Sequence, residues 1–206
     1  FHPVKIITTG EGGMALTNNS ELADRMQRYR SHGITNDVNK FQLRPADEIW
    51  NYQQISLGFN YRMTDIQAAL GVSQIARLDE FVTKRQKIAA RYNNELSGLT
   101  LQTPSQHVDS YSSYHLYPIR IKLGESRQTQ LHVYDALHSV GIKVNLHYIP
   151  VYRQPYYEAM GFKIGHCPEA EKYYKEAISI PIYPIMSAVH ESKVIFELKR
   201  VLNIWG

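Results

Sequence analysis

Between Thr64 and Gly98 the chain carries one long helical signal that divides everything else in it. The signal opens on Thr64-Asp65-Ile66-Gln67, a capping box in which the threonine hydroxyl and the glutamine side chain satisfy each other's backbone donors. Ile66, Ala69, Leu70, Leu78, Phe81, Val82, Ile88, Ala89, Tyr92 and Leu96 continue an apolar stripe at helical spacing until Ser97-Gly98 ends it. Such a segment runs about 45 Å, or breaks into two helices with a bend near Gly71 to Ser73. Either form makes a natural bridge between domains.

The territory before the bridge begins with Phe1-His2-Pro3-Val4-Lys5. Ile6 to Thr9 and Met14 to Thr17 are β-branched or apolar runs on either side of Gly10-Glu11-Gly12-Gly13, a pattern that predicts a hairpin. Asn19 and Ser20 offer caps for a helix with Leu22, Met26 and Tyr29 on one face, stopped by Gly33. Residues 34–59 show weak periodicity and read as a long loop. After Gly98 strands and helices alternate irregularly, as in a small α+β domain. Tyr114 to Ile121, Ile142 to Leu146 and Ile178 to Pro181 read as strands. Gln128 to Val140, capped by Gly141, Pro168 to Ala177, and a segment from Ser187 to Leu202 read as helices.

Composition narrows the functional classes. With 43% hydrophobic and 20% charged residues over 206 positions the chain is of ordinary globular type. No stretch approaches the roughly 18 apolar residues of a membrane span. The 23 Lys and Arg exceed the 19 Asp and Glu by a scattered net charge of +4, which suits acidic ligands and not a nucleic-acid footprint. The single cysteine, Cys167, excludes an internal disulfide and points to a reducing compartment, the cytoplasm. His107, His115, His132, His138 and His147 fall at no zinc spacing, so no metal is expected. The 15 tyrosines are read as half-buried rims and subunit contacts.

Few residues are placed to carry chemistry. Lys5 precedes a β-branched run, where desolvation would lower an amine's pKa and make it a nucleophile, although a lone lysine is most often a solvated charge. Gly10 to Gly13 matches neither the P-loop nor the dinucleotide fingerprint and reads as a tight turn. Asn60 and Arg62 stand just before the capped helix, where an amide and a planar guanidinium can meet a phosphate or carboxylate with help from the helix N-terminus. The competing reading is a local turn for Asn60 and an acidic neighbour for Arg62. His147 follows a strand-like run and is placed either for a ligand or as a satisfied rim histidine.

Taken together, Phe1-His2-Pro3-Val4-Lys5 with Thr9-Gly10-Glu11-Gly12-Gly13, Arg30-Ser31-His32-Gly33, and Gly58-Phe59-Asn60-Tyr61-Arg62-Met63-Thr64-Asp65-Ile66-Gln67 resemble the DegT-type nucleotide-sugar aminotransferases. Tyr114-His115-Leu116-Tyr117-Pro118-Ile119, Val144-Asn145-Leu146-His147-Tyr148 and Ile178-Ser179-Ile180-Pro181 agree, so the resemblance spans the chain. It implies an α/β fold: the carboxyl-terminal part of a fold-type I pyridoxal-phosphate transferase, with the end of the large domain followed by the small α+β domain. It also implies that the chain belongs to a protein about twice as long, because the acid, the stacking aromatic and most phosphate donors of the family's large domain are not among these residues.

In that family the lysine matching Lys5 forms the Schiff base with pyridoxal 5'-phosphate and, once released, moves the proton between substrate carbon and cofactor. The residue matching Asn60 reaches the cofactor phosphate of the other subunit, so the resemblance implies a homodimer with shared sites. Arg62 matches the residue that receives the donor carboxylate, and His147 one placed near the substrate. The implied activity is transfer of an amine from glutamate to a keto sugar linked to a nucleotide. The segments Asp47 to Tyr52 and Tyr148 to Tyr152 most resemble the branch acting at C4 of UDP-linked 4-keto-6-deoxy amino sugars, in the pseudaminic acid pathway. A sugar 3-aminotransferase of the same family, or a non-catalytic fragment that only binds a nucleotide sugar or a partner, are the alternatives.

Overall fold

Asn19 starts the first helix, α1 (Ser20–Tyr29), its side-chain oxygen accepting from the Leu22 N–H at 3.1 Å. The computed structural model describes residues 1–42, 48–126 and 128–203, and the chain divides into two compact units, Phe1–Ala76 and Arg77–Gly206. In the first unit α1 ends as the sequence predicts: Gly33 adopts a left-handed φ of 71° and its N–H returns to the Arg28 carbonyl at 2.9 Å.

The stretch read as an irregular loop contains a short ladder. β1 (Ile34–Thr35) pairs antiparallel with β2 (Gln53–Gln54), and Val38–Lys40 forms a 3-10 turn capped by Asp37. Asp47, part of the branch-specific segment, lies outside the described residues.

The capping box is present in full at the start of α2 (Asp65–Ile75). The long signal is indeed two helices, since α3 (Leu78–Glu95) follows after a break. The break falls at Ala76-Arg77, not at Gly71 to Ser73. Arg77 leaves helical geometry at φ −106°, ψ 4°, and its side chain turns to Glu80 and the face of the Phe81 ring. Gly71 stays helical because it serves close approach: a Cβ there would lie 2.9 Å from the Thr9 methyl.

Residues 6–9 and 14–17 do not form the predicted hairpin; a bend at 6 and 7 and irregular backbone over 14–17 replace it. A strand needs a partner, and these backbones bond locally instead, with the Thr9 N–H on the Phe1 carbonyl at 3.0 Å and the Phe1 amine on the Gly12 carbonyl at 2.6 Å.

Every buried apolar residue among those described lies between Phe81 and Val201, in the second unit. There β3 (Leu101–Gln102), β4 (Tyr117–Ile121) and β5 (Ala177–Ile180) form an antiparallel sheet in that order. β4 alternates, turning Tyr117, Ile119 and Ile121 inward, whereas β5 is buried throughout. Pro118 is tolerated in the middle strand because β3 reaches only Arg120 and Ile121, so β4 has one neighbour at the proline.

The sheet shares its core with α3, α4 (Gln130–Ser139) and α7 (Ala188–Asn203) through Ile88, Tyr92, Val133, Leu137, Val194 and Leu198. Two short helices, α5 (Pro155–Glu158) and α6 (Pro168–Glu176), begin on prolines as expected at a first helical turn. Residues 142–146 do not form the predicted strand; along the other edge of β5 only Asn145 bridges to Ser179, exchanging both backbone bonds with it.

The tyrosines also depart from expectation. Tyr92 and Tyr117 are wholly buried and meet edge to face at 5.1 Å, and burial pushes both phenols far above their usual pKa. No helix among the described residues is long and apolar enough to cross a membrane.

Candidate active site

Lys5 lies on a turn, its N–H bonded to the His2 carbonyl at 3.0 Å, and the residue is exposed. The flanking strand that would have desolvated it is not formed. What the fold supplies instead is a fixed position. Gly12 packs so closely that a Cβ would come within 2.6 Å of both the Met63 methyl and the Thr9 hydroxyl. The Gln67 amide donates to the Glu11 carbonyl at 3.1 Å, fastening the same turn to the first turn of α2.

Asn60 and Arg62 arrive at that helix along a second backbone seam. The Phe59 N–H reaches the Tyr29 carbonyl at 2.6 Å and the Tyr61 N–H reaches Arg30 at 2.9 Å, while Ser31 and Asn60 form a bridge. The seam depends on a glycine pair that sequence reading did not connect. A Cβ on Gly58 would meet the Gly33 nitrogen at 2.1 Å, and one on Gly33 would meet the Ser56 carbonyl oxygen at 1.9 Å.

Gly58→Ala must therefore open the seam between two backbones. We expect it to cost about 1–3 kcal/mol and to speed amide exchange at Phe59 and Tyr61, as hydrogen-exchange measurements would show. Wild-type exchange at both amides in the variant would contradict this.

Lys5, Asn60 and Arg62 thus lie on two segments of the first unit that are both tied to the start of α2. The attraction of the helix N-terminus for an anion is weaker than the sequence suggests. The Thr64 hydroxyl already accepts from the Gln67 N–H at 3.3 Å, and Asp65 places a carboxylate in the first turn. The exposed Arg62 guanidinium and Asn60 amide are the neighbouring donors of the kind that an anion can use. A primary amine, a guanidinium and an amide, all three exposed in this unit, are donor types that fit a carbonyl compound bearing a phosphate, which is the chemistry of pyridoxal phosphate.

His147 belongs to the second unit. Its Nδ1 lies 2.8 Å from the Ser179 hydroxyl on β5, and its ring stands edge-on to Tyr148. Together with His115, Tyr134, Lys143, Asn145 and Tyr183 it lines a cavity of about 550 Å³. Ser179 was visible in the sequence only as part of a strand; its signal is that the one polar side chain of β5 sits among buried neighbours.

Arg85 was missed altogether. It occupies a core position of α3 between Phe81 and Ile88, 6% exposed, and burial alone lowers its pKa. Its one available signal was a charge interrupting the apolar stripe. Among the described residues no group of three His, Cys, Asp or Glu is arranged to hold a metal.

Residues 1–199 match the DegT/DnrJ/EryC1/StrS aminotransferase family. A UDP-4-amino-4,6-dideoxy-N-acetyl-beta-L-altrosamine transaminase of Campylobacter jejuni is 36% identical over 91% of this chain and 47% of its own length. Helicobacter pylori PseC, an aminotransferase of pseudaminic acid biosynthesis, superposes with a TM-score of 0.85 at 28% identity, over 100% of this chain and 52% of that one. Spr1654 of Streptococcus pneumoniae, solved in PMP and PLP forms, matches at 26% identity over 99% of this chain and 50% of that one, with TM-scores of 0.84 and 0.83.

The chain spans about half the length of the curated relatives it matches. Its fold is accordingly part of the aspartate-aminotransferase type. On this evidence the chain belongs to the DegT/DnrJ/EryC1/StrS aminotransferase family, enzymes whose cofactor is pyridoxal phosphate.

Proposed function

We propose that this chain supplies the lysine-bearing part of a transaminase that moves an amine from glutamate to C4 of a UDP-linked 4-keto-6-deoxy amino sugar, acting in the cytoplasm. The observation that carries the reading is the exposed Lys5 on a segment whose Glu11-Gly12 turn is fastened to the helix that Asn60 and Arg62 precede. The sugar class is supported by the Campylobacter relative. On this reading residues 1–77 end the large domain and 78–206 are the small domain.

When bound, pyridoxal phosphate supplies a carbonyl for amine exchange and a ring that accepts electron density. The chain's own groups then have distinct tasks. Lys5 Nζ holds the cofactor covalently at rest and, when freed, carries the proton to and from the substrate carbon that gains or loses the amine. Arg62 takes the carboxylate of glutamate in a planar, two-point contact.

Asn60 gives an amide N–H to a phosphate held by the partner subunit. This unit leaves apolar side chains outside, among them Tyr61 at 73%, Ile66 at 84% and Val72 at 71% exposure, faces that the rest of a longer protein or a second subunit would cover. His147 orients the sugar, with Ser179 holding its ring through Nδ1.

Product analysis with glutamate and a panel of nucleotide-linked 3-keto and 4-keto sugars tests the assignment. A 4-amino product is expected, and amination at C3 alone, or of no sugar at all, would refute it. Ser179→Ala removes the hydroxyl that steadies His147. It is expected to raise KM for the sugar about tenfold with little change in kcat, and steady-state kinetics showing an unaltered KM would remove that role.

A further inference from the structure

The ladder between β4 and β5 stops beside the cavity that carries His147. Tyr117↔Ile180 is its last paired position, and His115 and Ile182 stand two residues further on in the same register, past Leu116 and Pro181, where the ladder no longer continues. The Arg85 guanidinium sits there instead, its Nη1 donating to the carbonyls of Ile182 at 2.9 Å, Tyr114 at 3.0 Å and His115 at 3.3 Å.

Burying a cation without an acid is costly, and the carbonyls that compensate it come from segments far apart in sequence. Tyr114 is also bent into a left-handed φ of 43°, a conformation that needs support from its surroundings. His115, Leu116, Pro181 and Ile182, the residues beyond the end of the ladder, all line the cavity. A side chain needed only for stability would be better apolar, whereas one that separates two strand ends has to donate to both.

We infer that Arg85 is a positioning residue that holds the ends of β4 and β5 apart as walls of the cavity and so sets how tightly the sugar is taken. This rests on reading the cavity as substrate-facing. All three bonds come from one nitrogen, so a lysine ammonium with its three donors can replace them, while methionine can fill the volume and make none.

The test compares Arg85→Met and Arg85→Lys in the full-length, cofactor-loaded protein. Arg85→Met is expected to raise KM for the nucleotide keto sugar about tenfold or more, with kcat within about twofold, and to leave the glutamate-driven change in the cofactor absorbance band unaltered. Arg85→Lys is expected to recover most of the KM. Amide exchange in Arg85→Met should accelerate at residues 115–116 and 182–183 and remain unchanged in the turn that carries Lys5.

A folded Arg85→Met protein with wild-type KM and wild-type exchange overturns the inference. So does an equal loss of both half-reactions that follows a lowered melting temperature in both variants, since that is a structural role only. If Arg85→Met does not fold, Arg85→Lys decides: a modest rise in sugar KM with an intact glutamate half-reaction supports the role, and any other result overturns it. A wild-type protein without a cofactor band would instead refute the proposed function, and exchange at 115–116 and 182–183 in the variants would still judge Arg85.

Discussion

Lys5→Ala in the full-length protein is expected to lower the rate of amino transfer by about 10²–10⁴-fold or more, because the variant has no amine to hold the cofactor or to carry the proton. Lys5 is exposed and the bond from its N–H to the His2 carbonyl does not involve the side chain, so a surface substitution here should change activity far more than stability, as urea unfolding beside the rate measurement would show. Lys5→Arg keeps the charge but not the nucleophile and should be as inactive as the alanine variant. Borohydride reduction followed by peptide mapping provides a readout without turnover, with the cofactor's mass expected on the peptide containing Lys5. Undiminished transamination by Lys5→Ala would remove the assignment.

The largest stability effect is expected in the other unit, at Tyr117. Its ring is 0% exposed, edge-on to Tyr92 and tilted against Tyr114 at 6.1 Å, and its hydroxyl donates to the Asn93 side chain. Tyr117→Ala empties the middle of this cluster and should cost about 3–5 kcal/mol, enough to consume much of the stability of an ordinary domain. Tyr117→Phe keeps the ring, and water can reach the exposed Asn93 that accepted its hydroxyl, so a loss of only about 0.5–1.5 kcal/mol is expected. Urea unfolding of the two variants separates ring packing from the hydroxyl. Equal midpoints for both would show that the ring contributes little.

What could be read in advance was what is settled within a few residues. The Asn19 cap, the Gly33 stop and the Thr64–Gln67 box each depend on neighbours one turn away, and all three hold. Readings that needed a distant partner fared differently. Ile6 to Thr9 and Ile142 to Leu146 have strand-like composition, but composition does not provide the second backbone that a strand must bond.

The approach of Gly33 to Gly58 and the bonds from Arg85 to carbonyls at Tyr114 and Ile182 are long-range facts, invisible to any local pattern. Glycine at position 71 was read as a place to bend, when its use is to admit Thr9. The family resemblance named Lys5, Asn60, Arg62 and His147 but not the residues that hold their surroundings in place. Support of that kind is provided by backbone contacts, which leave little trace in a motif.

The absence of a buried apolar residue among those described in the first unit bears on how the cofactor would be kept. The segment that carries Lys5 is tied by hydrogen bonds at Phe1–Gly12 and Gln67–Glu11 and by close packing at Gly12, while its Val4, Met14 and Leu16 face outward. Whatever covers those side chains also immobilises the lysine, so association and cofactor retention become linked equilibria. Where the cover is the partner subunit, dilution of the full-length protein should release cofactor: the resting absorbance band would fade as protein concentration falls below the dissociation constant, and return on reconcentration with pyridoxal phosphate present; a band that survives dilution would assign the cover to the rest of the same chain.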